Sequence, residues 1–130
     1  MTSMLPFADH IGVALLAEGP SEVRGRLQWA PELCTAGGVM HGGAIMSLAD
    51  TTGALCAFHN LPEGSAGTTT IESKTNFLRA VRSGHAEAVS RPIHSGRTVI
   101  VVDTEVRDAS GRLVARVTQS QLVLSGTVPS

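Results

Sequence analysis

The stretch Gly37–Phe58, GGVMHGGAIMSLADTTGALCAF, decides the fold because a glycine-rich turn runs directly into a long apolar segment. After Met40 the apolar residues recur at helical spacing, and no face of that helix is charged. A helix that is apolar all round is typically enclosed by the rest of its fold. This helix should end between Phe58 and Leu61, before Pro62. Its two apolar rows consist of Ile45, Leu48, Ala49, Thr52 and Cys56, and of Met46, Gly53 and Ala57.

One acid interrupts this helix, since Asp50 is the only charged residue between Cys34 and Phe58. Aspartate is a poor helix former in mid-helix, and an unpaired buried carboxylate is costly. In one interpretation Asp50 lies at a gap in the surface or satisfies neighbouring backbone. In the other it is a general base or nucleophile held in a dry pocket.

The sequence His41-Gly42-Gly43 stands at the start of the same helix. The first N–H groups of a helix have no partner within it, and the helix dipole adds positive potential there. Glycine also allows a substrate to approach the backbone closely. This helix start is therefore a candidate for polarising a carbonyl group. The alternative is a tight turn that needs glycine for a positive φ.

Geometry constrains how Gly42 and Asp50 can act together. Eight positions along one helix separate them by roughly 12 Å, because each residue rises about 1.5 Å. A nucleophile and an oxyanion donor must each lie about 3 Å from one reacting centre. If both residues act, the second must come from another copy of the chain, and a two-fold dimer meets that requirement with two equivalent sites.

The segments on either side of this helix read as β-strands. Two strands, 12–19 and 22–29, are expected before it, joined at Gly19-Pro20, and a helical turn is expected over 5–10. Four strands, 68–77, 85–94, 98–108 and 113–124, are expected after it as an antiparallel meander. Pro92 indicates an edge or a bulge, and the turns at Ser95-Gly96 and Asp108–Gly111 are typical of hairpins. The sheet is expected to curl around the helix.

Composition excludes several classes of function. The chain has 130 residues and fits a single domain, 1–130, with an ordered core of about 5–125. A net charge of −1 without a basic block disfavours nucleic acid and anionic membranes as partners. The five histidines lack metal-ligand spacing, so no metal is expected. Two cysteines without metal or redox spacing, and no convincing signal peptide, favour a cytoplasmic protein with free thiols.

The helix motif resembles a known family. His41-Gly42-Gly43 followed by Ser47-Leu48-Ala49-Asp50 is similar to the signature of the hotdog-fold acyl-CoA thioesterases, and most similar to the phenylacetic-acid-degradation (PaaI-like) group. The segments 75–80, 95–98 and 108–114 resemble later strands and turns of that group. The resemblance implies an α+β hotdog fold, with an antiparallel sheet of about six strands wrapped around one long helix. It also implies homodimers, or dimers of dimers, that hydrolyse thioesters at the subunit interface.

The same resemblance implies roles for individual residues. Gly42 would donate its backbone N–H to the thioester carbonyl, and Asp50 of the other chain would be the base or nucleophile. His41 would shape the turn with Gly43 beside it, and Thr70 would help hold the attacking water. Two positions depart from the family pattern. Thr35 stands where many relatives have Asn or Gln, and Ala54 stands where some carry a hydroxyl.

The predicted function is hydrolysis of an acyl-CoA or aryl-CoA thioester to the free acid and coenzyme A. No cofactor is expected, because coenzyme A is part of the substrate. Arg97, like Arg79 and Arg82, lies near a strand end and is a candidate for contacting the coenzyme A phosphates. The alternatives are a non-hydrolytic acyl-CoA-binding or regulatory protein using the same pocket, and a hydratase, which usually pairs its Asp with a nearby His.

Overall fold

The structure, a computed structural model, describes residues 4–126, which form two helices and six strands. The predicted elements are all present, and their bounds differ from the predicted ones by a few residues. Two short 3-10 turns, Pro31–Leu33 and Ala36–Gly38, precede the long helix. In chain order the helices and strands are α1 (Pro6–Ile11), β1 (Ala14–Ala17), β2 (Val23–Gln28), α2 (Gly42–Phe58), β3 (Ser65–Phe77), β4 (His85–Ser95), β5 (Val99–Asp108) and β6 (Leu113–Ser125).

The six strands form one antiparallel sheet in the order β1-β2-β4-β5-β6-β3. The predicted four-strand meander is wrong for its first strand, because β3 pairs with β6 at the far edge and not with β4. The place beside β4 is already taken by β2, which pairs with it from Val23↔Ser90 to Gln28↔His85. The meander is therefore limited to β4, β5 and β6, and β3 becomes an edge strand.

The sheet covers one side of α2 and leaves the other side open. The buried side consists of Ile45, Leu48, Ala49, Thr52, Gly53, Cys56 and Ala57. On the opposite side Met46, Asp50 and Phe58 are exposed, and the short α1 lies beside part of this side. The prediction of a helix enclosed on every side is therefore wrong for a single chain. The apolar character of the open side needs another explanation, because an isolated chain does not bury it.

A bulge in β4 and a tight turn after β5 help to position the strands in the second half of the chain. The register of β4 against β5 shifts between Pro92 and His94, which confirms the predicted bulge. The Asp108 carboxylate accepts hydrogen bonds from the backbone amides of Arg112 and Ser110 and so closes the β5–β6 turn. These bonds, that of Arg112 foremost, hold the pKa of Asp108 below its ordinary value. Ile100, Val102, Thr104 and Val106 face the core, as the alternation in β5 predicts.

The two cysteines, Cys34 and Cys56, are both free thiols, as predicted. Cys56 is fully buried against the sheet, and burial raises its pKa to about 11. This thiol therefore stays protonated and unreactive at neutral pH. Within residues 4–126, neither helix is long and apolar enough to cross a membrane.

The buried side of α2 packs closely on β2 at Gly25. A Cβ atom at Gly25 would lie 2.7 Å from Cγ2 of Thr52 and 3.5 Å from Cδ1 of Leu48. Thr52 itself is fixed, because its buried hydroxyl accepts a hydrogen bond of 2.8 Å from Ser90. Glycine at position 25 thus allows the helix to lie against the sheet at this point.

We predict that Gly25→Ala lowers the free energy of unfolding by about 1–3 kcal/mol, the range typical of an overpacked core. Denaturant titration followed by circular dichroism measures the change. Gly19→Ala is the matched control, since the nearest atom to a Cβ there is 4.0 Å away. Adding Thr52→Ser removes the opposing methyl group and should recover part of the loss. Equal stability of the two alanine variants would contradict this account of the packing.

Candidate active site

Asp50 lies on the open side of α2 with one of its two carboxylate oxygens held by hydrogen bonds. Its Oδ1 accepts a bond of 2.8 Å from the Thr70 hydroxyl and a bond of 3.2 Å from Nε2 of Gln119. No donor from the described part of the chain reaches Oδ2, and no arginine, lysine or histidine there forms an ion pair with Asp50. The prediction of a dry pocket is wrong for the single chain, in which Asp50 is exposed.

A bulge in β3 places Thr70 next to Asp50. The register of β3 against β6 shifts between Thr70 and Glu72, so Ile71 is an extra, unpaired residue. Up to the bulge Thr68 and Thr70 face inward, and after it the inward positions are Ser73 and Thr75. Bulges are common beside active sites because they redirect a side chain. Here the bulge marks the point where the edge strand meets the acid of the helix.

Two glutamines of β6 complete the hydrogen-bond network around Asp50. Gln119 and Gln121 are both fully buried. Gln119 bonds to Asp50 directly, whereas Gln121 donates through Nε2 to the Thr70 hydroxyl at 2.6 Å and accepts from Thr68 at 3.2 Å. Neither residue was predicted from the sequence. The signal was available, because they occupy successive inward positions of β6 that follow the buried Ala115 and Val117.

His41 and Gly42 form the start of α2 with distinct contacts. Nδ1 of His41 accepts a hydrogen bond of 2.7 Å from the Gly43 amide and so caps the helix. The Gly43 amide is therefore occupied within the chain. Within residues 4–126, no acceptor lies within hydrogen-bond distance of the Gly42 amide.

The need for glycine at the helix start is a matter of space and not of backbone conformation. Neither Gly42 nor Gly43 has a positive φ, in contrast to Gly37 and Gly38 in the preceding turn. The interpretation of a tight turn that needs glycine for a positive φ therefore holds for Gly37 and Gly38, and not for Gly42 and Gly43. A Cβ at Gly42 would lie 3.0 Å from the ring of Phe77, which packs over this end of the helix.

The structure brings some of the predicted site residues together and leaves others apart. Thr70 contacts Asp50, and His41, Gly42 and Gly43 form the helix start. One chain does not join these two groups, because they lie on α2 eight positions apart. The remaining two residues contact neither group. Thr35 is exposed in the loop before α2, and Arg97 is exposed in the β4–β5 turn.

An apolar groove of about 420 Å³ runs between α1 and α2 and reaches Asp50. Phe7 of α1 and Phe58 of α2 are 61% and 53% exposed and form two of its walls. Ala54 lies one turn beyond Asp50 on the wall formed by α2. Nearby, the hydroxyls of Ser47 and Thr51 bond to carbonyls of their own helix at 2.8 and 2.7 Å. Asp50 is the one charged group among the described residues that line the groove.

Comparison with known proteins identifies the family. The model of the thioesterase superfamily matches residues 37–115, which include α2, Thr70 and strands β3 to β5 but not Gln119 or Gln121. A Saccharolobus solfataricus protein named "putative esterase" is 37% identical over 98 residues, which cover 75% of this chain and 69% of that protein. The chain therefore belongs to the thioesterase superfamily, as the helix motif predicted.

Solved structures share the whole architecture. A Mycobacterium tuberculosis protein, also named "putative esterase", superposes with a TM-score of 0.89 at 26% identity, covering 95% of this chain and 99% of that one. A Haemophilus influenzae thioesterase gives 0.86 at 26% identity, with coverages of 96% and 93%. The Escherichia coli PaaI protein gives 0.84 at 21% identity, with coverages of 95% and 88%, and so shares the fold. The predicted hotdog fold is confirmed.

Proposed function

We propose that this protein hydrolyses acyl-CoA or aryl-CoA thioesters at a site shared by two copies of the chain. The observation that carries this proposal is that the two carboxylate oxygens of Asp50 are hydrogen-bonded unequally. Thr70 and Gln119 hold Oδ1, while Oδ2 is left facing the open side of α2. A carboxylate fixed through one oxygen and free at the other is suited to take a proton from water or to attack a carbonyl carbon.

The free amide at the start of α2 supplies the second requirement of thioester hydrolysis. When water or carboxylate oxygen adds to the thioester carbon, negative charge develops on the carbonyl oxygen. The Gly42 N–H donates no hydrogen bond to the described residues, and the helix dipole adds positive potential there. The tetrahedral intermediate then collapses as the C–S bond breaks. When water adds, the products are the free acid and coenzyme A, whose thiolate takes up the proton that Asp50 removed from the water. When the Asp50 carboxylate adds, coenzyme A leaves first and an acyl-Asp50 anhydride remains, which water then hydrolyses to the free acid and regenerated Asp50.

Two features support a two-fold dimer as the active unit. The 13-residue strand β3 has one edge paired with β6 and, in the part of the chain that the structure describes, no strand on the other. A long open edge is a natural template for pairing with a second strand. Phe77 and Ile71 of β3 are 49% and 57% exposed, next to the open side of α2. Pairing across this edge would cover apolar surface and bring Asp50 of one chain towards Gly42 of its partner.

The groove between α1 and α2 suits the acyl portion of the substrate. Among the described residues its lining is apolar apart from Asp50 and Thr51, and its volume of about 420 Å³ suits an aryl or medium-length acyl group. A thioester carbon placed at Asp50 would direct the acyl chain into this groove and the pantetheine arm away from it. Arg97 remains a candidate for contacting the phosphates, as proposed from its position near a strand end.

We predict that Asp50→Asn lowers kcat by roughly 10²–10⁴-fold, the range typical of losing a general base, because the variant keeps the shape but not the charge. Release of coenzyme A from a panel of acyl-CoA and aryl-CoA esters measures the effect. The melting temperature and the KM should change little. Wild-type turnover by the variant would remove Asp50 from the chemistry, and saturable binding of intact thioester by the wild type would instead indicate an acyl-CoA-binding protein.

Mixing two inactive variants tests the shared site. Asp50→Asn chains retain Gly42, and Gly42→Val chains retain Asp50, so each mixed dimer contains one intact site of two. In a statistical mixture half of the dimers are mixed, and about a quarter of wild-type activity should return. Native mass spectrometry confirms that mixed dimers form. If such dimers show no recovery, the two residues do not act on one substrate across the interface.

A larger side chain in the groove tests where the acyl group lies. Ala54→Leu should raise the KM for phenylacetyl-CoA and octanoyl-CoA about 10-fold, a typical effect of one clash in an apolar pocket. Acetyl-CoA, which does not extend past Asp50, should be affected less than 2-fold by the same reasoning. Ala109→Leu, at an exposed turn outside the groove, is the control. Equal effects of Ala54→Leu on all three substrates would place the acyl group elsewhere.

A further inference from the structure

We infer that Gln119 is a positioning residue, which fixes the rotamer of Asp50 and directs its free oxygen toward the substrate. This inference rests on the proposed function, since it concerns the same carboxylate. Gln119 does not belong to the helix motif. It comes from the last strand, 69 positions further along the chain. Four observations carry the inference.

The first observation is the unequal satisfaction of the Gln119 amide. Its side chain is fully buried, and Nε2 donates to Oδ1 of Asp50 at 3.2 Å. Its Oε1 is also buried, yet it has no hydrogen-bond partner within residues 4–126. A buried acceptor without a partner is unfavourable, and an apolar residue of similar size would avoid it. The amide is retained at a stability cost, and among the described residues its one hydrogen-bond partner is Asp50.

The second observation is the space made for this amide on α2. A Cβ at Gly53 would lie 2.1 Å from Oε1 and 2.5 Å from Cδ of Gln119. Position 53 is therefore glycine in the interior of a helix, where glycine is unfavourable. The missing Cβ lets the amide lie flat against the helix and reach the residue three positions earlier, Asp50.

The third observation is that the donors converge on one oxygen. Thr70 and Gln119 both bond to Oδ1, and Gln121 orients the Thr70 hydroxyl by donating to it at 2.6 Å. Because Gln121 donates to that oxygen, the hydroxyl proton is left to point at Asp50. Two donors on one oxygen restrict rotation of the carboxylate about χ2. The other oxygen, Oδ2, is consequently held on the open side.

The fourth observation is that, among the described residues, only neutral groups hold the carboxylate of Asp50 in place. The charged side chains on the elements that pack around Asp50 are exposed or face outward. Those on β3 are Glu72 and Lys74, and Arg116 on β6 pairs with Asp103 on the outer face. On α1, Asp9 and His10 are exposed. Within the described residues, the orientation of Asp50 thus depends on amide and hydroxyl donors.

The test compares Gln119→Leu with a buried polar control, Thr104→Val. Thr104 is also fully buried and bonds to Ser90 at 2.7 Å, but it does not contact Asp50. We expect Gln119→Leu to lower kcat at least 10-fold with a KM within about 3-fold of wild type, because the carboxylate is no longer oriented while the groove is unchanged. Its melting temperature should equal or exceed that of wild type, since the unpaired Oε1 is removed. Thr104→Val should lower the melting temperature and leave kcat unchanged.

Two more variants separate positioning from packing. Gln119→Glu keeps the shape but places a second carboxyl group against Oδ1. The acid limb of its kcat/KM profile should move to higher pH, since two adjacent carboxylates compete for one proton. Gly53→Ala should displace the amide and reproduce the loss in kcat, although alanine is the better helix former. The inference is overturned if Gln119→Leu keeps kcat within 2-fold of wild type, or if the acid limb of Gln119→Glu does not move.

A readout without turnover separates this inference from the proposed function. The side-chain amide ¹H and ¹⁵N signals of Gln119 should move in Asp50→Asn, because the charged acceptor of this N–H is lost, and should stay in place in Thr104→Val. If they do so in a protein that cleaves no thioester of the panel, the positioning contact stands and the proposed reaction is wrong. If the protein is active but these signals ignore Asp50, the reaction stands and the role given to Gln119 is wrong.

Discussion

The hydrogen bonds from Thr70 and Gln119 to Oδ1 of Asp50 are the interaction on which the rest of the site depends. They connect three parts of the chain that are remote in sequence, namely the middle of α2, the bulge of β3 and the inner face of β6. A charged group within an otherwise apolar helix is tolerated because neutral donors from two strands meet it. The same bonds divide the carboxylate into a held oxygen and a free one, and the proposed reaction uses the free one.

The close contact of α2 with the sheet is what makes these bonds possible. Two glycines on opposite sides of the contact remove the side chains that would prevent it. Gly25 on β2 lets Thr52 approach the sheet, and Gly53 on the helix lets the amide of Gln119 pass beneath it. Stability and site geometry thus depend on the same packing. Glycine is unfavourable in the interior of a helix or strand. Its presence at both positions therefore indicates that a short distance between α2 and the sheet is required.

The sequence predicted the elements of the fold better than their arrangement. Helical spacing from Met40, alternation in β5 and the turn at Asp108 each depend on neighbours in the chain, so the local pattern was sufficient. The place of β3 depends on which edge of the sheet remains free, and that was decided by β2, far away in sequence. The motif pointed to Asp50, and the resemblance pointed to Thr70. Gln119 and Gln121 were not predicted, because a buried glutamine in a strand can be assigned a role only when the residues that face it are known.

In the proposed dimer, the exposed side of α2 would connect catalysis with self-association. A chain that worked alone would gain nothing by keeping Met46, Phe58 and Phe77 exposed around a carboxylate. If a second chain covers them, burial of the apolar groups stabilises the dimer and water is excluded from around Asp50 in the same event. Electrostatic interactions strengthen when water leaves, so the free amide of Gly42 and the free oxygen of Asp50 would both become more effective on dimerisation. The isolated chain then holds its donors and its acid in the right orientation but lacks the surroundings they need. On this argument the dimer interface and the active site are one surface, and a substitution that weakens association should also slow the reaction in the dimers that remain.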